Sequence, residues 1–326
     1  MVIDKPELSS CSKVGGGGIN PVVFKRFTKS WMADELLPVM KGFYKWCEQQ
    51  FGCQLLFEKP MVKLFTEQQE ADLWLKKASS EMSDYLVPEI YHENTFKGIE
   101  ITEAGYSIVK HTAAFAMPMF LDGAKKFILT NAELITDAFD YSQLKVSSDE
   151  VVYKDIRAGK IIFTEGYLVK DNPWFAYIPF KPVKGEILTF TSDALQVGDH
   201  IIKKSNFIAH LYGNVFKTGA TYNWDSLNDT PTEEGKTELE LKLKKMMKAD
   251  YTIIRHEAGV RPSGTDRRPI IGPHPENQTL LIFNGLGAKG VMLSPFFADH
   301  FINYLEGKNP LNKEVDVARF NHFFVN

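Results

Sequence analysis

The chain has 326 residues, 44% of them hydrophobic, and sets 38 basic side chains against 41 acidic ones for a formal charge of -3. With a pI near 6.3 it has no long-range field to gather nucleic acid or an anionic membrane surface. The length suffices for one or two sizeable cores, no apolar run reaches the length of a membrane span, and the first residues do not read as a secretory leader. Cys11, Cys47 and Cys53 show no metal-type spacing, so free thiols in a reducing cytoplasm are expected. No metal site, Ser-His-Asp arrangement or P-loop is legible.

In chain order, Met1 to Lys5 read as the end of a strand closing on Asp4. Ser9 to Lys13, then Gly15 to Gly18, form a small, flexible stretch. Its glycines would either expose successive amides to a ligand or make a plain loop. From Ser30, the spacing of Trp31, Leu36, Leu37, Met40, Phe43, Tyr44, Cys47 and Phe51 predicts a long helix with Asp34 and Glu35 in its early turns. Leu55 to Phe57 and Met61 to Phe65 predict two strands around Lys59-Pro60. Thr66 and Gln69 read as a capping box for a helix carrying Leu73, Trp74 and Leu75.

Gly105 to His111 is strand-like, Phe115 to Phe127 helical, and Asn131 to Ile135 a further strand. The lone His111 reads as structural. Glu150 to Tyr153 suggests a hairpin, and Lys160 to Tyr167 a buried strand emptying into a turn at Gly166. Short runs in series, Leu188 to Thr191, Ile201-Ile202, Phe207 to Tyr212 and Asn214 to Tyr222, predict an antiparallel sheet. Tyr212 and Tyr222 would be buried in that sheet or reach a pocket beside it. Glu233 to Lys248 predicts an amphipathic helix, followed by a strand from Tyr251.

The C-terminal part then reads Gly259-Val260-Arg261-Pro262, Asp266, Pro269-Ile270-Ile271-Gly272, an apolar run Thr279 to Phe283, Gly285-Leu286-Gly287-Ala288-Lys289-Gly290, and helical spacing from Val291 to Leu305. A glycine turn feeding a helix start leaves free amides and a positive dipole end for an electron-rich group. A dinucleotide fingerprint would need a further strand with an acid about 20 residues on, and only a short tail follows. Arg261 has the fork to pair both oxygens of a carboxylate, or would serve an interdomain ion pair. Lys289 would face a ligand or solvent.

This whole run resembles the C-terminal signature of the D-amino-acid oxidase, glycine oxidase and sarcosine oxidase superfamily, and the resemblance covers Val2 to Gly307. It implies that Gly285, Gly287, Lys289, Gly290 and Val291 approach the isoalloxazine of FAD, with Arg261 on the substrate carboxylate. It further implies nucleotide contacts from Asp4, Ser10, Lys13 and Gly17, an adenine contact at the main chain of Ile135, and a flavin contact at Gly166. Tyr222 would line the substrate pocket. Three departures accompany it. Glu165 stands in a turn that relatives keep small, Ala288 stands where glycine oxidase has a second arginine, and the chain is expected to start about 25–30 residues into the nucleotide-binding unit, past its glycine fingerprint. No cysteine lies between Arg261 and Asp266, so the flavin would be bound non-covalently.

The expected architecture is α/β: a discontinuous, N-terminally incomplete Rossmann-like FAD-binding domain (1-52, 104-178 and 257-326) and a mostly antiparallel substrate domain (53-103 and 179-256). The expected function is an FAD-dependent, cytoplasmic oxidoreductase attacking a C-N bond of an amino acid or related amine. The alternatives are a folded, flavin-free, inactive member of the same family and a non-enzymatic module that binds a carboxylate.

Overall fold

A computed structural model describes residues 1-5 and 10-324. Its helices are α1 (Cys11–Val14), α2 (Ala33–Phe51), α3 (Gln68–Ala78), α4 (Met117–Asn131), α5 (Glu233–Lys244) and α6 (Gly290–Leu305). The strands that frame the site are β1 (Val2–Ile3), β2 (Met61–Leu64), β3 (Tyr106–Val109), β4 (Leu134–Ile135), β5 (Ile161–Phe163), β6 (Val183–Thr191), β7 (Ile201–Lys203), β8 (Phe207–Tyr212), β9 (Val215–Gly219), β10 (Thr252–Arg261), β11 (Ile270–His274) and β12 (Asn277–Asn284). No helix among the described residues is long and apolar enough to cross a membrane.

Seven strands form one sheet in the order β10-β6-β9-β8-β7-β2-β3. Every neighbouring pair is antiparallel except β7 and β2, so the mostly antiparallel sheet expected from the alternating runs is present. Side chains alternate across it with period two. On the outer face Val62, Leu64, Phe190, Ile202, Ile208 and Phe216 pack against Leu243, Met246 and Met247. On the inner face Met61, Val109, Ile201 and Ala209 join a second core with Leu36, Tyr44, Trp74 and Phe297 from α2, α3 and α6.

The remaining parallel pairing is α/β in character. Strand β5 runs parallel to β12, which turns back antiparallel onto β11. Strand β1 runs parallel to β4 with Ile3 opposite Ile135. A third core, including Phe163, Phe175, Ile270 and Ile282, fills that side and takes in Ile3. Strand β3 starts just past the division expected at 104 and lies in the seven-stranded sheet. Leu56–Glu58 pairs instead with Ala113–Phe115, which also pairs with Gly18–Ile19.

Three boundaries differ from expectation for identifiable reasons. Helix α2 starts at Ala33 because Met32 is left-handed at φ 53, which frees Trp31 to stack on Phe297 at 5.5 Å. The capping box at Thr66 does not form. The Glu70 carboxylate, paired to Lys63 at 2.6 Å, accepts from the Thr66 amide at 2.9 Å, and α3 begins at Gln68 without a side-chain cap. Helix α5 ends at Lys244, short of Lys248, because Met246 and Met247 turn into the outer core.

Candidate active site

Strand β12 runs through Gly285 at φ 75 into a 3-10 turn over Gly287–Lys289, which opens α6. A Cβ on Gly285 would lie 2.8 Å from Ile270 and strain a conformation that L residues rarely take. Tyr44 on α2 donates to the Val291 carbonyl at 2.9 Å and holds the first turn of α6 in place. The 3-10 turn and the first turn of α6 put a helix N-terminus directly after Gly285. Free amides at a helix start are what an anionic group needs.

Lys289 is not a solvent-facing residue. Its ammonium donates to the Ser30 hydroxyl and to the Asn20 carbonyl at 3.5 Å, and it pairs with no carboxylate among the described residues. Burial pushes its pKa down to about 8, with no neighbouring charge to offset the lost hydration. Close by, Asn284 joins two predicted turns: its amide donates to the Gly166 carbonyl at 2.9 Å, and its oxygen accepts from the Gly285 amide at 2.8 Å. Glu165 turns into the protein, held by Tyr141 and by Asn172 at 2.9 Å, and burial raises its pKa.

Arg261 ends β10 on the inner face and is coupled to the glycine turn through its neighbour. The Pro262 carbonyl accepts from the Gly287 amide at 3.1 Å. The guanidinium lies flat across β6, in the space a Cβ on Gly185 would share, 2.2 Å from Nη2. Past β9 the chain still follows β6, with Asn223 opposite Lys184. That register puts Tyr222 opposite Gly185 and on the face of Arg261. The Tyr222 ring lies 4.8 Å from the guanidinium carbon, and Arg261 donates to the Thr221 carbonyl at 3.4 Å. Both tyrosines expected either within the sheet or beside a pocket are exposed, Tyr222 at 58% and Tyr212 at 68%, and only Tyr222 meets Arg261.

Helix α1 lies against β10, its Cys11 Cα only 3.1 Å from where a Gly259 Cβ would be. Ser10 caps it, accepting from the Lys13 amide at 3.4 Å, and burial raises the Cys11 thiol while Arg261 pulls it back. Gly17, at φ 64, accepts from the Phe115 amide at 2.8 Å, and the Asn20 carbonyl three residues on accepts from Lys289. Ser10, Lys13 and Gly17 therefore lie on segments that reach Arg261 or Lys289. Asp4 and Ile135 form their own pair, with the Asp4 amide donating to the Ile135 carbonyl at 3.0 Å. Ser9 lies outside the described residues. The sequence reading missed Ser30 and Asn284, neither of which carries a motif.

These residues fit the flavin cofactor that the resemblance implies. The buried, uncompensated ammonium of Lys289 and the N-terminus of α6 suit electron-rich ring atoms, and an exposed acid at the end of β1 suits sugar hydroxyls. The family described as FAD dependent oxidoreductase matches residues 1-303. Glycine oxidase of Bacillus licheniformis is 26% identical over 189 residues, which span 55% of this chain and 51% of that protein, so the match covers about half of that relative's length. Glycine oxidase of Bacillus subtilis (strain 168) is 30% identical over 118 residues, 36% of this chain and 32% of that protein. In fold, the chain is similar to iminodiacetate oxidase from Chelativorans sp. BNC1, with TM-score 0.75, 21% identity, and coverage of 96% of this chain and 91% of that one. With the match running over 303 of its 326 residues, the chain belongs to this FAD dependent oxidoreductase family.

Proposed function

We propose that this chain oxidises a C-N bond of an amino acid or related amine, with FAD held non-covalently between α1, the glycine turn and the start of α6. The observation that carries the reading is the placement of Arg261, a guanidinium with no carboxylate partner among the described residues, one hydrogen-bonded step from the glycine turn. Its fork binds the substrate carboxylate, and Gly185 and Tyr222 keep it flat against the sheet. When bound, FAD supplies an acceptor for the two electrons and the hydrogen leaving the amine-bearing carbon. Lys289 and the α6 amides hold negative charge on the cofactor side. Water then hydrolyses the imine that the substrate has become. Asp4, Ser10, Lys13, Gly17, Ile135, Gly166 and Val291 complete the cofactor contacts in this proposal, the two domains divide as expected except that β3 lies with the substrate sheet, and the free cysteines suit a cytoplasmic site.

A flavin-free member and a carboxylate-binding module are not favoured by the family match. The absorption spectrum of the purified, folded protein tests the reading first: flavin bands are expected, and a colourless sample overturns it. Arg261→Ala is then expected to raise the KM for an amino-acid substrate roughly 10–100-fold, the loss of one charge-assisted pair, while sparing the flavin bands. An unchanged KM removes Arg261 from the site.

A further inference from the structure

Tyr222 is not alone beside Arg261. Trp224 stacks on it, ring centroids 6.2 Å apart and planes 27° from parallel, and the two are 58% and 51% exposed. Single exposed aromatics need no explanation. A stacked pair with one ring against an unneutralised guanidinium is a different arrangement, because it sets a broad apolar wall next to an anion-pairing group. Tyr212 is equally exposed, yet it has neither a ring partner nor a charge beside it among the described residues.

The loop that carries the pair is held before any ligand arrives. Asn223 accepts from the amides of Asp225 at 2.8 Å and Ser226 at 3.0 Å, which fixes the turn directly after Trp224. Farther along, Asn228 and the Thr230 carbonyl accept from the buried Lys184 ammonium, and Thr232 donates to Glu186 at 2.9 Å. Lys184 and Glu186 flank Gly185, over which the guanidinium lies. The two rings are thus anchored through the same strand as the arginine, and holding a ligand against them costs little further ordering.

We infer that Trp224, with Tyr222, sets the specificity of this site for carboxylates whose α-substituent bears an aromatic or bulky apolar group, in preference to small ones such as glycine. The inference rests on the carboxylate role of Arg261 proposed above. The carboxylate pairs with the guanidinium, and the substituent lies along the aromatic wall, shielding it from water.

Isothermal titration calorimetry of the purified full chain with phenylacetate and with acetate tests this without turnover. At least 10-fold tighter binding of phenylacetate is expected, falling to within about 3-fold in Trp224→Ala and retained in Trp224→Phe. Equal affinity for the two acids in the wild type, or an undiminished preference in Trp224→Ala, overturns the inference even when Arg261→Ala abolishes the binding of both. Carboxylate binding that survives Arg261→Ala overturns instead the reading on which it rests. Trp224 is half exposed, so its replacement is not expected to perturb folding, and a thermal melt of each variant checks that.

Discussion

The two faces of strand β6 hold charge in opposite ways. On the outer face Lys184 and Glu186 are buried and fully paired: the carboxylate accepts from the Thr232 amide at 3.0 Å, the Thr232 hydroxyl at 2.9 Å and His256 at 2.8 Å, while the ammonium is shared by Asn228 and Thr230. On the inner face, one residue away along the strand, Arg261 lies over Gly185 with a single long hydrogen bond and an aromatic ring. Buried charge that finds its partners inside the protein maintains the fold. Charge without an internal partner stays open to a counter-charge from outside.

Breaking the satisfied face has the largest expected effect. Glu186→Ala strands the Lys184 ammonium and leaves Thr232 and His256 without their acceptor, so the unfolding free energy from urea titration is expected to fall by about 3–5 kcal/mol, seen as a lower midpoint with an unchanged slope. A loss below about 1 kcal/mol would mean that this network is not closed. Thr232→Ala removes both the cap of α5 and one donor to Glu186, for an expected cost of about 1–2 kcal/mol in the same measurement.

Lys289 sharpens the comparison from the unsatisfied side. A lysine whose folded pKa is depressed to about 8 from 10.5 binds fewer protons in the native state than in the unfolded state between those values. Stability of the flavin-free protein should therefore rise with pH across that window, and the cost of the buried charge is fully present below it. Lys289→Met is expected to abolish that rise and to stabilise the flavin-free protein near neutral pH by about 1 kcal/mol, an amount reduced by solvent screening. Parallel stability curves for the two proteins above pH 8 would refute it. The smallest effect belongs to Tyr212→Ala, within about 0.5 kcal/mol by thermal melt, since that ring lies exposed on the sheet away from both charges.

Local patterns reached far into this molecule. The alternating runs from Leu188 to Tyr222 identified an antiparallel sheet because period two is written in single residues. The glycine turn at Gly285 and the helix after it were legible for the same reason, since positive φ and helical spacing are local properties. Helix limits were less secure where a distant partner intervened, as when Lys63 drew Glu70 into an ion pair at the start of α3. Burial of Tyr222 was undecided in the sequence and was settled by its register against β6.

The sequence by itself determined which segments are strands and helices, which turn needs glycine, and which residues bear charge suited to a carboxylate or an electron-rich ring. Only the tertiary structure decided which of those charges would be neutralised. Lys184, Arg261 and Lys289 are alike as cations in a one-dimensional reading. The first meets Glu186 under α5, while the other two have hydrogen bonds or a ring but no anion among the described residues. Charge compensation depends on contacts between residues far apart in the chain, such as Ser30 with Lys289 and Pro262 with Gly287, and no local spacing encodes them.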